Sequence, residues 1–246
     1  MPTLHVVGCG DAFASGGRYN ACFVVRHAGG PPMMLDCGAT SLVALRRAGV
    51  DPNEVATILV SHLHGDHFGG LPFLLLDAQF VSRRRAPLLV AGPPGMRERL
   101  HATMECLFPG SGSTSFPFPL EVRELAPDAA ETVAGVAITT FTVVHECGAP
   151  PFGLRLALDG KILAYSGDTT WTETLVPLGR DADLFVCEAY TPEPRGKMHL
   201  DLRTLRERVA DIAPKRLLLV HMGPDALAAP PEPWFERAED GMTVEF

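Results

Sequence analysis

The stretch VSHLHGDHFGG, residues 60–70, places three histidines and an aspartate within six residues. A helix would bring His62 and Asp66 together as i, i+4 neighbours. Gly65 argues against a helix, because an internal glycine costs about 1 kcal/mol relative to alanine. The preceding run, residues 57–60, is apolar and β-branched, which is typical of a buried strand. We therefore predict a loop that follows a strand, with Gly65 in a backbone conformation that other residues avoid.

Metal-ligand residue types recur beyond this motif. His145, Asp168 and His221 each follow a short apolar run, where the carboxyl end of a strand would open into a cleft. Imidazole and carboxylate groups suit zinc, and also iron or manganese. The motif alone could close around one structural ion with four ligands. With three more candidates, two ions bridged by a carboxylate and water at about 3.5–4 Å become the natural count.

The rest of the chain predicts short strands with interspersed helices. Expected strands cover residues 4–8, 21–25, 33–35, 57–60, 88–91, 120–125, 136–144, 153–158, 161–165, 184–187 and 217–220. Expected helices cover about 41–47, 71–81, 96–107 and 201–212. Asp159-Gly160 between two strands is a strong hairpin signal. This order fits an α/β protein with two mixed β-sheets packed face to face and helices outside, as a single domain over residues 1–246.

The composition of the chain disfavours several classes of binding partner and motif. The net charge of −8 disfavours binding of long nucleic acid, because like charges repel. We interpret the one basic run, residues 83–85, as the solvated end of a helix. The six cysteines include no C-x-x-C pair, so no zinc ribbon or redox motif is indicated. No apolar run approaches the roughly 18 residues of a membrane span, and a cytoplasmic protein is expected.

The motif H-x-H-x-D-H, followed in order by single His145, Asp168 and His221, resembles the metallo-β-lactamase superfamily of hydrolases over nearly the whole chain. The resemblance implies a four-layer αββα sandwich with metals at one edge. It implies two ligand sets bridged by Asp168: His62, His64 and His145 for one ion, and Asp66, His67 and His221 for the other. Asp36 matches an aspartate that orients the histidine loop in this family; a turn residue is the alternative.

Individual residues select a branch of the family. Asp168 argues against antibiotic-hydrolysing members, which lack an aspartate bridge there. Flavodiiron relatives carry glutamate at the position of His64, which argues against an iron redox role. The strand ending at Glu188 and the later His199 resemble ribonuclease Z, in which such a pair delivers a proton to the leaving oxygen of a phosphodiester. A local salt bridge for Glu188 and a helix cap for His199 are the alternatives.

Two departures from ribonuclease Z affect the expected substrate. Cys187 stands where that enzyme often has histidine. Only 22 residues separate His145 from Asp168, where the tRNA-grasping arm would be inserted, and these suffice for a hairpin. We therefore expect a small phosphodiester, such as a cyclic nucleotide or a cyclic ribosyl phosphate. A ribonuclease Z-type tRNA endonuclease remains an alternative.

The resulting hypothesis is a hydrolase with two divalent metal ions, zinc or alternatively manganese, and a metal-bridging hydroxide as nucleophile. Asp66 would orient the hydroxide while it ligates a metal, and His199, held by Glu188, would protonate the leaving group. Cations that could seat the phosphate are Arg18, Arg155 and Lys197. A carbonyl hydrolase, such as a lactonase or thioesterase, and a non-catalytic metal-binding protein are rivals. The apolar helix at 71–81 could pair two copies as a homodimer or could simply pack into the core.

Overall fold

The computed structural model describes all 246 residues. Its strands form two seven-stranded sheets. The first sheet contains, in spatial order, β14 (Thr243–Glu245), β1 (Thr3–Gly8), β2 (Cys22–Arg26), β3 (Met33–Leu35), β4 (Thr57–Leu59), β5 (Leu88–Gly92) and β6 (Leu120–Glu124). The second contains β13 (Glu236–Arg237), β12 (Leu217–Val220), β11 (Leu184–Glu188), β10 (Lys161–Tyr165), β9 (Phe152–Leu158), β8 (Val136–Thr142) and β7 (Ala130–Val133).

Helices cover the outer face of each sheet. Those on the first sheet are α1 (Ser41–Arg47), α2 (Gly65–Phe68), α3 (Leu71–Phe80) and α4 (Met96–Leu107). Those on the second are α5 (Leu175–Gly179), α6 (Leu202–Ile212) and α7 (Pro224–Ala228). The expected αββα sandwich is confirmed. No helix has the length and apolar character that crossing a bilayer requires.

Three apolar layers hold the sandwich together, one between the sheets and one beneath each set of helices. The alternation of side chains along a strand feeds two layers at once. On β2, Phe23 and Val25 face the other sheet, whereas Cys22 and Val24 face the helices. Strands covered on both faces are apolar throughout, which is why the sequence predicts them well.

Strand direction decides where the site lies. Strands β3, β4, β5 and β6 run parallel, as do β10, β11 and β12. The carboxyl ends of β3 and β4 therefore open at one edge of the first sheet, and those of β10, β11 and β12 at one edge of the second. At the opposite flank of the first sheet, β14 pairs antiparallel with β1, which joins residues from the two ends of the sequence.

Several local expectations are wrong. The motif is not loop throughout, because α2 begins at Gly65, whose φ is not positive. Arg84 does not lie at a solvated helix end: α3 stops at Phe80, and the buried guanidinium donates to the carbonyls of Val55 (2.9 Å) and Pro87 (2.7 Å). Strands β7, β13 and β14 were not expected, because they are short, polar sheet-edge segments.

The apolar helix α3 was expected either to pack into the core or to provide a face for a homodimer. Leu71 and Leu75 are fully buried in the core beneath the first sheet, as ordinary packing requires. Phe80 and Val81 at its end are largely exposed. The homodimer stays a prediction.

Candidate metal centre

Side chains of the types that can bind metals meet where the strands end. The motif follows β4, and Asp36 follows β3 in the first sheet. In the second sheet, Asp168 lies beyond β10, Glu188 ends β11 and His221 follows β12 directly. Two of these residues, Asp36 and His221, have positive φ angles of 57° and 54°. Such a conformation is costly for residues other than glycine, and it turns the chain sharply into the cleft.

One candidate ligand set consists of His62, His64 and His145, whose potential ligand atoms lie within 4.8 Å of one another. Nδ1 of His64 is 3.0 Å from Nε2 of His145. Nε2 of His62 is buried and has no hydrogen-bond partner. Burial lowers the pKa of His62 well below its ordinary value and also lowers that of His145. Both imidazoles are therefore neutral near pH 7, which is the form that binds metal.

The other set consists of Asp66, His67, Asp168 and His221, all buried and with ligand atoms within 4.8 Å of one another. Nε2 of His221 is 3.1 Å from Oδ2 of Asp66, and Nε2 of His67 is 3.3 Å from the same oxygen. Burial opposes a charged imidazole here, but the charge of Asp168 and the Asp66 hydrogen bond raise the pKa of His221 to about 9. The carboxylates of this set thus attract positive charge, which a metal ion would supply.

Asp168 touches both sets. Its Oδ1 is 3.2 Å from Nε2 of His67, and its Oδ2 is 3.3 Å from Nε2 of His221. The same Oδ2 is 3.7 Å from Nε2 of His62 and 3.8 Å from Nε2 of His145. A bridging ligand needs this position, although the bridging role itself stays a prediction.

Asp36 holds the histidine motif in place through hydrogen bonds to Ser61 and His67. Its carboxylate accepts hydrogen bonds from the backbone N–H of Ser61 (2.7 Å), the Ser61 hydroxyl (2.8 Å) and the Tyr165 hydroxyl (2.6 Å). It also accepts from Nδ1 of His67 at 2.7 Å, so that Nε2 of His67 faces Asp168. A carboxylate that orients a ligand histidine in this way is usual in metal sites. No local pattern identifies Tyr165 and Ser61 as partners of Asp36.

The chemistry of these groups fits a metal ion. The buried Nε2 atoms of His62 and His67 both lack a hydrogen-bond partner, which is costly unless another ligand satisfies them. Nitrogen and carboxylate donors together suit zinc, iron or manganese. The histidine and aspartate cluster could therefore hold metal at both ligand sets.

Glu188 and His199 lie beside the second set. Oε1 of the fully buried Glu188 accepts a hydrogen bond from the Thr169 N–H (2.5 Å) and one from Nδ1 of His199 (3.1 Å). Burial raises the pKa of Glu188. Burial alone would lower the pKa of His199, but the hydrogen bond and the charge of Glu188 raise it. The His199 ring packs on Tyr190, with 4.8 Å between ring centroids. His199 does not cap α6, since Asp201 does so by accepting from the Thr204 N–H.

The ligand sets open into a cavity of about 330 Å³. Its lining residues are Asp11, Ala12, Phe13, His64, Asp66, His145, Asp168, Tyr190, Met198, His199 and His221. The lining includes no lysine or arginine. The backbone carbonyl of Met198 also accepts from Nδ1 of His145 at 2.8 Å, so the rim of the cavity helps to orient a ligand histidine.

Comparison with known proteins places the chain among its relatives. A sequence model of the family described as "Anti-Pycsar protein Apyc1" matches residues 2–233. The chain belongs to the Apyc1 family. It is 32% identical over 226 residues to the uncharacterised protein Rv1339 of Mycobacterium tuberculosis, covering 90% of this chain and 81% of that protein. It is also 27% identical over 254 residues to ribonuclease Z of Mycobacterium marinum, covering 95% and 91% of the two chains.

Solved structures agree on the fold of this Apyc1-family chain. Human tRNase Z, short form, superposes with a TM-score of 0.80 at 24% identity, covering 99% of this chain and 98% of the other. A diphosphatase of the PhnP family superposes with a TM-score of 0.77 at 17% identity, covering 100% and 98%. The metallo-β-lactamase fold and the likeness to ribonuclease Z that the motif indicates are therefore confirmed, and the neighbours include hydrolases of that fold.

The cations expected to seat a phosphate in this Apyc1-family member do not line the cavity. Arg155 lies beside α5, where its guanidinium donates to the carbonyls of Leu178 (2.7 Å) and Arg180 (2.9 Å), so that expectation is wrong. Arg18 and Lys197 are also absent from the lining. Sequence patterns missed Asp11, Phe13 and Tyr190, although Asp11 follows the end of β1 and Tyr190 follows the end of β11, positions that could have drawn attention to them.

Proposed function

We propose that this chain is a phosphodiesterase that uses two divalent metal ions, zinc or alternatively manganese, to hydrolyse a small, cyclic phosphodiester. The observation that carries the proposal is His199, which lines the same cavity as the two ligand sets and is held by a 3.1 Å hydrogen bond from its Nδ1 to the buried Glu188. A proton donor for a leaving alkoxide is needed in phosphodiester cleavage. The names of relatives support this chemistry, since they include ribonuclease Z and a diphosphatase.

The two ligand sets would hold the metals, one on His62, His64 and His145 and the other on Asp66, His67 and His221, with Asp168 between them. When bound, such metals neutralise charge on phosphoryl oxygens and lower the pKa of water toward neutrality.

The chain's own groups would perform the remaining steps. Asp66, at the cavity wall, can accept a hydrogen bond from the attacking water and so direct its lone pair at phosphorus. Glu188 accepts from Nδ1 of His199 and so fixes the tautomer and orientation of that ring. Nε2 of His199 is then the nitrogen that protonates the departing alkoxide. Since no lysine or arginine lines the cavity, charge neutralisation at the phosphate would rest on the metals.

The size of the substrate follows from the cavity and from the segment between His145 and Asp168. This segment is a plain hairpin of β9 and β10, and no arm protrudes from it. A cavity of about 330 Å³ lies at the lower end of the range for small-molecule sites. A single cyclic phosphodiester fits these limits better than a folded RNA.

The test is an assay of the metal-loaded protein with bis(p-nitrophenyl) phosphate, cyclic mononucleotides, a lactone and a thioester. We expect turnover of the phosphodiesters, its loss on chelation, and its return when zinc or manganese is restored. Turnover of only the lactone or thioester would instead identify a carbonyl hydrolase. Absence of turnover of all these substrates with retained metal would overturn the phosphodiesterase proposal and favour a non-catalytic metal-binding protein.

A further inference from the structure

Phe13 occupies an unusual place at the rim of the cavity. It lies in the loop between β1 and β2 and lines the same cavity as His64, His199 and His221. Yet its side chain is 81% exposed, so that its ring contributes almost nothing to the core. Isolated exposed apolar residues are common on protein surfaces and need no explanation alone. What sets Phe13 apart is that the loop carrying it is built around a buried carboxylate.

That carboxylate belongs to Asp11, which is 1% exposed. Its Oδ1 accepts from the N–H groups of Phe13 (3.2 Å) and Ser15 (2.8 Å), and its Oδ2 accepts from the Ser15 hydroxyl (2.6 Å). The Asn20 side-chain amide donates to the Asp11 carbonyl at 2.9 Å. Asp11 is therefore engaged with its own loop rather than with the ligand sets. A loop fixed in this way presents Phe13 at little entropic cost on binding.

The other rim residues determine what Phe13 can meet. Beyond the ligand sets, the cavity is lined by Asp11, Ala12, Phe13, Tyr190, Met198 and His199, and no lysine or arginine accompanies them. A second phosphate on the substrate would find neither a lysine nor an arginine in this lining, and the buried carboxylate of Asp11 would face it. An uncharged group would instead find apolar and aromatic surface. One face of the Tyr190 ring packs on His199, whereas the exposed ring of Phe13 is free to pack on a ligand.

We propose that Phe13 is a specificity-determining residue that packs against an uncharged planar ring, such as a nucleobase or an aryl group, attached to the reacting phosphodiester. The proposal rests on the proposed function for the position of the phosphate. Stacking of a base on an aromatic side chain is worth roughly 5- to 100-fold in binding. The contact exists before and during the reaction, so it should act mainly through KM.

The experiment compares two substrates that share the reacting group, a cyclic adenosine monophosphate and the matching cyclic ribose phosphate without a base. In Phe13→Ala we expect kcat/KM for the nucleotide to fall about 5- to 20-fold, mostly through KM. Turnover of the ribose phosphate should stay within about twofold, because the missing ring has no partner there. Phe13→Tyr should restore nucleotide turnover.

Phe80→Ala is the matched control, since Phe80 is 66% exposed but lies at the end of α3, away from the cavity. It should leave both substrates unchanged. Equal losses of Phe13→Ala on the two substrates would overturn the proposal, as would no loss on either. A shift in size-exclusion elution of Phe13→Ala, with loss on both substrates, would make Phe13 an interface residue instead.

Failure of the proposed function would be visible separately. If the metal-loaded wild type cleaves neither substrate, the phosphodiesterase proposal fails, and binding decides the role of Phe13. Calorimetry with adenosine monophosphate and ribose phosphate then gives the dissociation constants for wild type and Phe13→Ala. Weaker binding of the nucleotide alone supports the role of Phe13, whereas equal dissociation constants contradict it.

Discussion

The two sheets contribute to the candidate metal centre in different ways. The first sheet supplies four ligand-type residues from one continuous segment, His62 to His67, fixed from below by the carboxylate of Asp36. The second sheet supplies His145, Asp168 and His221 from three separate strand ends. In the first half, one continuous segment, a short loop followed by α2, positions all the ligand-type residues, whereas the second half depends on the register of a whole sheet. The difference suggests that a single change can disturb the two halves unequally.

Asp168→Ala should have the largest effect, because Asp168 is the one second-sheet residue that contacts histidines of both ligand sets. We expect the metal content to fall by most of its value and kcat/KM to fall by more than about 100-fold, beyond the usual effect of losing an outer partner. Elemental analysis and the phosphodiester assay measure these changes. The control is Asp183→Asn, which lies directly before β11 of the same sheet and away from the cavity. Full metal occupancy in Asp168→Ala would contradict the bridging role.

His199→Ala should have the next largest effect and should separate chemistry from metal binding. Both metals should remain, while kcat for a diester with an alkyl leaving group should fall about 10²- to 10⁴-fold, the usual contribution of a positioned acid. For bis(p-nitrophenyl) phosphate the loss should be small, since p-nitrophenolate leaves without a proton. Equal losses on the two substrates would exclude His199 as the proton donor.

Asp36→Asn tests whether the carboxylate of Asp36 holds the first-sheet motif in the conformation that binds metal. Loss of such an outer carboxylate typically costs about 10- to 100-fold in metal affinity. Titration of the metal-free variant with zinc should show weaker metal binding than in the wild type. Tyr165→Phe removes only one of the hydrogen bonds to Asp36 and should weaken metal binding less. If Tyr165→Phe weakens metal binding more than Asp36→Asn does, Asp36 is not the residue that organises the motif.

Asp183→Asn should have the smallest effect and concerns only the stability of the second sheet. Hydrogen bonds from Lys215 and Ile162 outweigh the cost of burial and lower the pKa of Asp183 to about 2. Because this pKa lies below the unfolded value near 3.9, the carboxylate stabilises the fold above that pH and loses its contribution as the pH falls toward 2. The variant should be less stable by about 0.2–1 kcal/mol at pH 7.

Urea unfolding of the metal-free protein between pH 7 and pH 3 measures this difference. The gap between wild type and Asp183→Asn should narrow below about pH 4. A gap that widens on acidification would show that the sign of the linkage is wrong.

The sequence predicts the ligand-type residues of both halves, for two different reasons. The motif can be recognised as a candidate metal site because its ligand-type residues are close together in the sequence. His145, Asp168 and His221 can be recognised because each follows an apolar strand. The sandwich followed from strands that are apolar on both faces. These features depend on local composition, which a single sequence displays directly.

Other features depend on contacts between distant residues. Arg84 reads as a surface cation, but its guanidinium is buried among backbone carbonyls of the turns around it. Gly65 was expected to permit an unusual backbone angle, whereas Asp36 and His221 are the residues of the site with a positive φ. The hydroxyl of Tyr165 reaches Asp36 from a residue 129 positions away. No local pattern encodes such a pairing.

The separation of the two halves along the chain also has a consequence for biosynthesis. His221 and Asp66, whose side chains are 3.1 Å apart, are separated by 155 positions in the sequence. At roughly 5–20 residues per second, a ribosome needs about 8–30 s to add the intervening chain. During that interval the motif is present without its partners from the second sheet, and β1 still awaits β14. A metal held by residues of both sheets would therefore be bound only after His221 has been added and the second sheet can form.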